Sequence, residues 1–354
     1  MKRFGTFLLL FSFLQITQGQ QLPRPKVGLT LSGGGAKGLA HIGILKAIDS
    51  AGLKIDYITG TSMGAIIGSL YAVGYSGRQI EEISRKIDWD LLLSNGVSLR
   101  ALSMEEKEES GKYAIELPYI NRSLKLPGGI LDGQELWFKF AELYYPVHKI
   151  KDFSKFSIPF KCVASDITTG EAVVIDSGDI ATAVRASMAI PSVFTSVDYD
   201  GRKLVDGGVT RNFPVIDVKE MGAEYIIGSS VTTGLYPEEK LKTPIDVLLQ
   251  LVFFKEADDF KKEVPLCNLY IPLPVDDYSM GSFNKVDHLI EIGNKQGRKL
   301  YPTLKHLADS LGNGNALSRS DTNRLTKTEN VFISSYQING LVKTTETYFI
   351  LVFM

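Results

Sequence analysis

Short apolar runs alternate with helical apolar patterns through the middle of the chain. Residues 27–31 form an apolar run that closes on glycines, and residues 39–51 carry apolar side chains at helical spacing, so the chain opens as strand, glycine loop and helix. Residues 55–59 predict a second strand that runs into Gly60, and residues 65–73 predict a buried helix. Further strands are predicted at 160–164, 172–175, 225–229 and 269–271, with helical patterns between most of them. Such alternation predicts an α/β fold, a largely parallel central sheet with helices on both faces. The sequence contains no internal repeat.

Residues 95–130 are less regular. Their acidic patch, Glu105, Glu106, Glu108 and Glu109, reads as a solvated face because it lacks the ordered ligand spacing of a calcium loop. Residues 247–254 are nearly all apolar and predict a buried helix, with a membrane-facing surface as the alternative. At the start, Met1-Lys2-Arg3 precedes an apolar stretch over 4–16 that is short for a membrane-spanning helix, and Gly19 ends a segment suited to cleavage. Residues 1–19 are therefore read as a signal peptide, which directs the protein to the periplasm, the outer membrane or the exterior. The main domain is expected over 20–311, and 312–330 has linker composition. Residues 331–354, with a turn at Asn339-Gly340, resemble the opening strand and turn of a POTRA module cut short.

With 44% hydrophobic and 22% charged residues, the 354-residue chain is a folded protein rather than a collagenous or disordered one. Its 39 Lys and Arg against 40 Asp and Glu leave a net charge of −1, without the basic footprint that nucleic-acid binding requires. The two cysteines, Cys162 and Cys267, lie far apart with no C-x-x-C spacing, so zinc-ribbon and disulfide-scaffold readings fail. Both thiols are expected in the core.

Three glycine-bearing segments carry the candidate chemistry. Gly60-Thr61-Ser62-Met63-Gly64 is a G-x-S-x-G sequence between a predicted strand and a predicted helix, the setting of a strained turn that lifts a serine hydroxyl above a sheet edge. Gly60 and Gly64 would flank the serine because so sharp a turn leaves no room for a Cβ; a plain turn serine is the competing reading.

Ser32-Gly33-Gly34-Gly35-Ala36-Lys37-Gly38 closes the first strand. Gly33, Gly35 and Gly38 fit G-x-G-x-x-G, so one reading is an NAD-type dinucleotide site. Asp56, about 20 positions on, stands at the start of the second strand, whereas the ribose-binding carboxylate belongs at its end. A P-loop fails because Lys37 is followed by Gly38 rather than Ser or Thr. In the hydrolase reading the backbone N–H groups of Gly33, Gly34, Gly35, Ala36, Lys37 and Gly38 form an oxyanion hole, and Lys37 adds positive potential. Adjacent parallel strands would bring this loop and Ser62 to one sheet edge.

A serine nucleophile needs a base. None of His41, His148, His288 and His306 stands in a triad context, and His41 is expected to pack within the first helix. Asp206-Gly207-Gly208 follows the apolar Leu204-Val205 and offers a carboxylate at a strand end, with Gly207 and Gly208 freeing the backbone behind it. A turn aspartate is the competing reading.

In order and approximate spacing these three segments resemble the patatin-like phospholipases. Further blocks match as well: Ala164-Ser165-Asp166-Ile167-Thr168-Thr169-Gly170-Glu171, Ala186-Ser187-Met188-Ala189-Ile190-Pro191-Ser192-Val193-Phe194 and Asn212-Phe213-Pro214. The resemblance implies a three-layer patatin-like sandwich and a Ser–Asp dyad, with Ser62 as nucleophile, Asp206 as base, and no histidine, metal or cofactor. It implies phospholipid or another acyl lipid as substrate, met at a membrane surface. With its leader and POTRA-like segment the chain is similar to the bacterial subgroup in which a patatin domain precedes POTRA and an outer-membrane barrel, and it departs from that pattern by ending before any barrel. Two other functions compete: a dinucleotide-binding protein, and a catalytically silent surface or secretion module.

Overall fold

The computed structural model describes residues 24–93, 133–232 and 254–311, together with 119–120, 123–124, 129–131, 238–240, 247 and 250. The readings of 1–23, of the acidic patch at 105–109 and of 312–354 lie outside the described residues.

An eight-stranded sheet organises the chain. Its strands are β1 (Val27–Leu31), β2 (Tyr57–Thr61), β3 (Phe160–Asp166), β4 (Ala172–Ile175), β5 (Val197–Tyr199), β6 (Arg202–Asp206), β7 (Tyr225–Ser230) and β8 (Leu269–Pro272). They run in the order β8-β7-β1-β2-β3-β6-β5, with β4 also paired to β3. Strands β8, β7, β1, β2 and β3 are parallel to one another; β4 and β6 are antiparallel to β3, and β5 is antiparallel to β6. The sheet is thus largely parallel, as the alternation predicts.

The helices are α1 (His41–Ala51), α2 (Met63–Val73), α3 (Gly77–Lys86), α4 (Gln134–Tyr144), α5 (Ile180–Ser187), α6 (Val215–Glu220), α7 (Phe254–Glu263) and α8 (Val286–Ser310). Side-chain alternation along β1 sorts them into two layers. Val27, Leu29 and Leu31 enter the main apolar core, which also takes side chains from α1 to α5 and α8. Gly28 faces the other way, where a Cβ would stand 2.6 Å from both Val218 and Ala223. A second cluster, Phe213, Val215, Val218, Ala223, Ile226 and Phe260, fills that side beneath α6 and α7. The result is helix, sheet, helix.

Helices α1 and α8 cross with their backbones touching. A Cβ on Gly43 would overlap the Gly293 backbone, one on Gly293 the Ala40 carbonyl, and one on Gly297 the Gly43 carbonyl.

Several boundaries differ from expectation. Strand β2 continues through Gly60 and Thr61 because both pair with β3, opposite Cys162 and Val163; a glycine need not leave a ladder that only its backbone makes. It also starts late, since Asp56 turns its carboxylate to the Val27 N–H at 2.8 Å and to Arg24 at 2.6 Å. Residues Gly35–Ala40 form a 3-10 helix, so the helix expected from residue 39 becomes regular only at His41. Cys162 is buried as expected, whereas Cys267 is only half-buried, in the connection before β8. Of 247–254, Val247, Gln250 and Phe254 are described: Gln250 is buried, but Val247 and Phe254 are exposed, and Phe254 opens α7.

Candidate active site

Strand β3 sets two halves of the site against each other. Thr61, the last residue of β2, faces Val163, and Asp206, the last residue of β6, faces Ala164. Strand β4 pairs with the same two positions from the opposite edge. β2 and β6 therefore meet end to end along a single edge, and Ser62 meets Asp206 at the junction. Ser62 Oγ donates a hydrogen bond to Asp206 Oδ2 at 2.6 Å, and both residues are 4% exposed.

The serine sits in a strained turn. Ser62 has φ 53° and ψ −123°, a positive φ outside the regions favoured by side-chain-bearing residues, and α2 begins at the next residue. Close approach requires the flanking glycines: a Cβ on Gly60 would stand 2.5 Å from the Gly64 carbonyl oxygen, and one on Gly64 would overlap the Leu31 and Ser32 carbonyls. The Ser62 N–H donates to Ser187 Oγ at 3.0 Å, and Ser187 Oγ donates to the Val163 carbonyl at 2.6 Å. The positive end of the α2 dipole stands at the hydroxyl.

Both oxygens of Asp206 are engaged, because Oδ1 accepts from the Gly208 N–H at 2.7 Å. Gly207 lies against β3, where a Cβ would overlap the Val163 carbonyl. Burial pushes the Asp206 carboxyl up to about 6, against the lowering effect of the Ser62 and Gly208 hydrogen bonds. Such a group is a stronger base than an exposed aspartate and is still ionised at neutral pH. Thr59 and Thr61, on one face of β2, donate to the Pro214 and Arg211 carbonyls at 2.8 and 2.9 Å, and Ser165 Oγ donates to the Asp206 carbonyl at 2.9 Å. These bonds pin the segment that follows the aspartate.

The glycine loop reaches the same junction. A Cβ on Gly33 would come within 3.0 Å of Ser62 Cβ and 3.3 Å of the Thr61 carbonyl oxygen. The Gly33 N–H donates to the Asn212 carbonyl at 3.2 Å and the Ala36 N–H to the Met280 carbonyl at 2.8 Å. In the 3-10 helix that follows, amides from Lys37 onward bond back three residues, which accounts for Lys37 and Gly38. The Gly34 and Gly35 N–H groups have no hydrogen-bond partner among the described residues. Of the six residues expected to form an oxyanion hole, these two keep open donors.

His41 anchors the loop from behind. Its Nε2 lies 3.0 Å from the Ser32 carbonyl and its Nδ1 2.9 Å from Ser229 Oγ. A carbonyl only accepts, so Nε2 carries the hydrogen and Nδ1 accepts from Ser229. Burial drives the imidazole down to about 4, and it is neutral.

The family model described as Patatin-like phospholipase matches residues 29–219, more than half of the chain. The chain belongs to the patatin-like phospholipase family. It is 28% identical over 306 residues to the lysophospholipase nte1 of Emericella nidulans, a similarity that covers 79% of this chain and 18% of that protein. It is 31% identical over 207 residues to an uncharacterized NTE family protein of Mycobacterium tuberculosis, covering 58% of this chain and 49% of that one. The chain thus spans half or less of the length of these relatives. Among solved structures, VipD from Legionella pneumophila aligns with TM-score 0.45 and 18% identity over 79% of this chain and 67% of its own.

In this member of the patatin-like phospholipase family the dinucleotide reading loses its acidic residue. Asp56 stands at the N-terminal end of β2 and pairs with Arg24, whereas the glycine loop leaves the C-terminal end of β1. Sequence reasoning gave no role to Ser187, Asn212 or Ser165, which brace the nucleophile, the loop and the aspartate; only their places in the matching blocks pointed to them. Among the described residues no group of His, Cys, Asp and Glu could hold a metal ion, and no helix is long and apolar enough to cross a membrane.

Proposed function

We propose that this patatin-like phospholipase is a serine lipid acyl hydrolase in which Ser62 attacks an ester carbonyl and Asp206 takes the serine proton. The observation that carries the reading is the 2.6 Å hydrogen bond from Ser62 Oγ to Asp206 inside a buried junction. As the serine oxygen bonds to the acyl carbon, its proton passes to Asp206 Oδ2, and the Gly34 and Gly35 N–H groups hold the oxyanion. Collapse expels the alcohol, which takes the proton from Asp206 and leaves an acyl-serine. Water, deprotonated by the same carboxylate, then releases the fatty acid and restores Ser62. A carboxylate is a weak base for a hydroxyl, so positioning and the oxyanion donors carry most of the acceleration, roughly 3 kcal/mol for each well-aimed donor.

The substrate we propose is a phospholipid, lysophospholipid or other acyl lipid taken from a membrane surface; the name of the Emericella relative supports this class. Export through the leader at 1–19 and a linker with a POTRA-like start over 312–354 belong to the same proposal. Incubating the full chain with mixed phospholipids and lysophospholipids, and identifying products by mass, should reveal free fatty acid. A fluorophosphonate probe should label Ser62. A Ser62→Ala chain that released fatty acid at the wild-type rate would overturn the assignment.

A further inference from the structure

The two open donors of the glycine loop lie between two clamps from different parts of the chain. On one side the Gly33 N–H donates to the Asn212 carbonyl at 3.2 Å, within the segment that follows Asp206. On the other the Ala36 N–H donates to the Met280 carbonyl at 2.8 Å, in the connection between β8 and α8. Gly34 and Gly35 are the residues between. Gly35 has φ 56° and lies directly against Met280, whose carbonyl a Cβ on Gly35 would overlap. The second clamp therefore fixes a residue that carries one of the two donors.

The Met280 carbonyl is aimed by a turn built on two serines. The Ser282 N–H donates to the Ser279 carbonyl at 3.2 Å, so Ser279-Met280-Gly281-Ser282 is a β-turn with that carbonyl in its central peptide. Ser282 Oγ accepts from the Ser279 N–H at 3.0 Å and lies 3.0 Å from Ser279 Oγ, which closes the turn a second time. Both flanks are anchored. Before the turn, the Leu273 N–H donates to the Ser230 carbonyl of β7 at 2.8 Å, and Val275 is fully buried. After it, the Phe283 ring stacks on Trp89 at 5.0 Å, and Trp89 Nε1 donates to the Ser84 carbonyl of α3 at 2.9 Å.

Gly281 leaves the central peptide mobile within this frame. Its φ lies outside the left-handed region, and an added Cβ would meet only Ser279 Oγ, at 3.9 Å, so neither space nor backbone angle demands a glycine. What glycine does permit at the third position of a turn is a flip of the central peptide, which would swing the Met280 carbonyl away from Ala36. We propose that Ser282 is a positioning residue for the oxyanion donors: its hydroxyl keeps the turn closed, the Met280 carbonyl stays on Ala36, and Gly34 and Gly35 keep their aim. The proposal rests on the assignment of Ser62, Asp206 and these two donors.

The test compares variants of the full chain. Ser282→Ala should lower kcat about fivefold with KM within about twofold, because donors that serve the oxyanion are disturbed while substrate binding is not. The acid limb of kcat/KM stays in place, since Asp206 bonds to Ser62 and Gly208 and not to the turn. Amide hydrogen exchange, which needs no turnover, should quicken about fivefold at Ala36 and stay as in the wild type along α2. Ser282→Thr keeps the hydroxyl and should restore both readouts. Gly281→Ala should slow exchange at Ala36 about threefold, because alanine disfavours the flipped peptide. A Ser282→Ala chain with wild-type kcat, a loss that appears in KM instead, or a loss with exchange at Ala36 unchanged overturns the proposal, as does a Ser282→Thr chain as impaired as the alanine variant. If the wild-type chain hydrolyses no ester, the reading of Ser62 and Asp206 falls, and exchange at Ala36 in Ser282→Ala alone decides whether the turn holds the loop.

Discussion

Thr61 and Asp206 lie opposite consecutive residues of β3, Val163 and Ala164, on one edge of that strand. Ser62 and Asp206, 144 positions apart, are thus aligned by a single strand that acts as their template. Register moves in whole residues, so a slip of one position along β3 would part the two side chains and turn the strand's apolar side chains to the wrong face. Val163 and Ala164 are fully buried, which opposes such a slip.

Asp206→Asn should lower kcat by about a thousandfold or more with little change in KM, because the amide keeps the geometry and cannot take the proton. In the wild type, kcat/KM should rise through about pH 6 as the carboxyl ionises. The stability effect has the opposite sign. A carboxyl raised by burial from 3.8 to about 6 contributes fully below its unfolded value and loses that contribution as pH rises through about 6. At neutral pH the ionised group therefore costs on the order of 1–3 kcal/mol, and Asp206→Asn should melt above the wild type at pH 7 but not at pH 4. Calorimetry at the two pH values checks this.

Ser187→Ala removes the partner of both the Ser62 N–H and the Val163 carbonyl. Two buried polar groups are left unsatisfied, which should cost about 1–3 kcal/mol in denaturant unfolding. Fluorophosphonate labelling of Ser62 should slow about tenfold or more, since the turn that aims the hydroxyl loses its brace.

His41→Leu should weaken the fold by about 2 kcal/mol and hydrolysis by about tenfold, because the Ser32 carbonyl loses its donor at the root of the glycine loop. The imidazole is lowered from 6.5 to about 4, so its contribution is present above pH 6.5 and is lost as pH falls towards 4. Acid unfolding curves of the wild type should therefore be steeper across that window than those of His41→Leu.

Gly293→Ala would drive a methyl group into the Ala40 carbonyl. Parting α1 from α8 should cost about 3 kcal/mol or more by denaturant titration, a larger loss than a solvent-facing Gly→Ala change produces.

Much of the site was legible because glycines mark what the backbone must do nearby. Gly60 and Gly64 announced a sharp turn, Gly207 and Gly208 a freed backbone after Asp206, and the alternation of apolar runs a largely parallel sheet. What stayed hidden is long-range. Nothing near Ala36 reveals that its N–H belongs to Met280, and nothing near Gly33 names Asn212, so six residues of one loop looked equally able to bind an oxyanion. Ser187 stood out only by its place in a block that matches the family, and the structure gives it two partners. Glu263 drew no reading from the sequence, and the packing of α7 on the turn after Asp206 accompanies its burial.

The support that Met280 and Gly293 lend to the glycine loop has a bearing on biosynthesis. A growing chain exposes its serine early, yet the pieces that shape the oxyanion donors emerge only near the end of the main domain. If the proposed hydrolysis holds, the site would thereby stay incomplete until translation has passed residue 293.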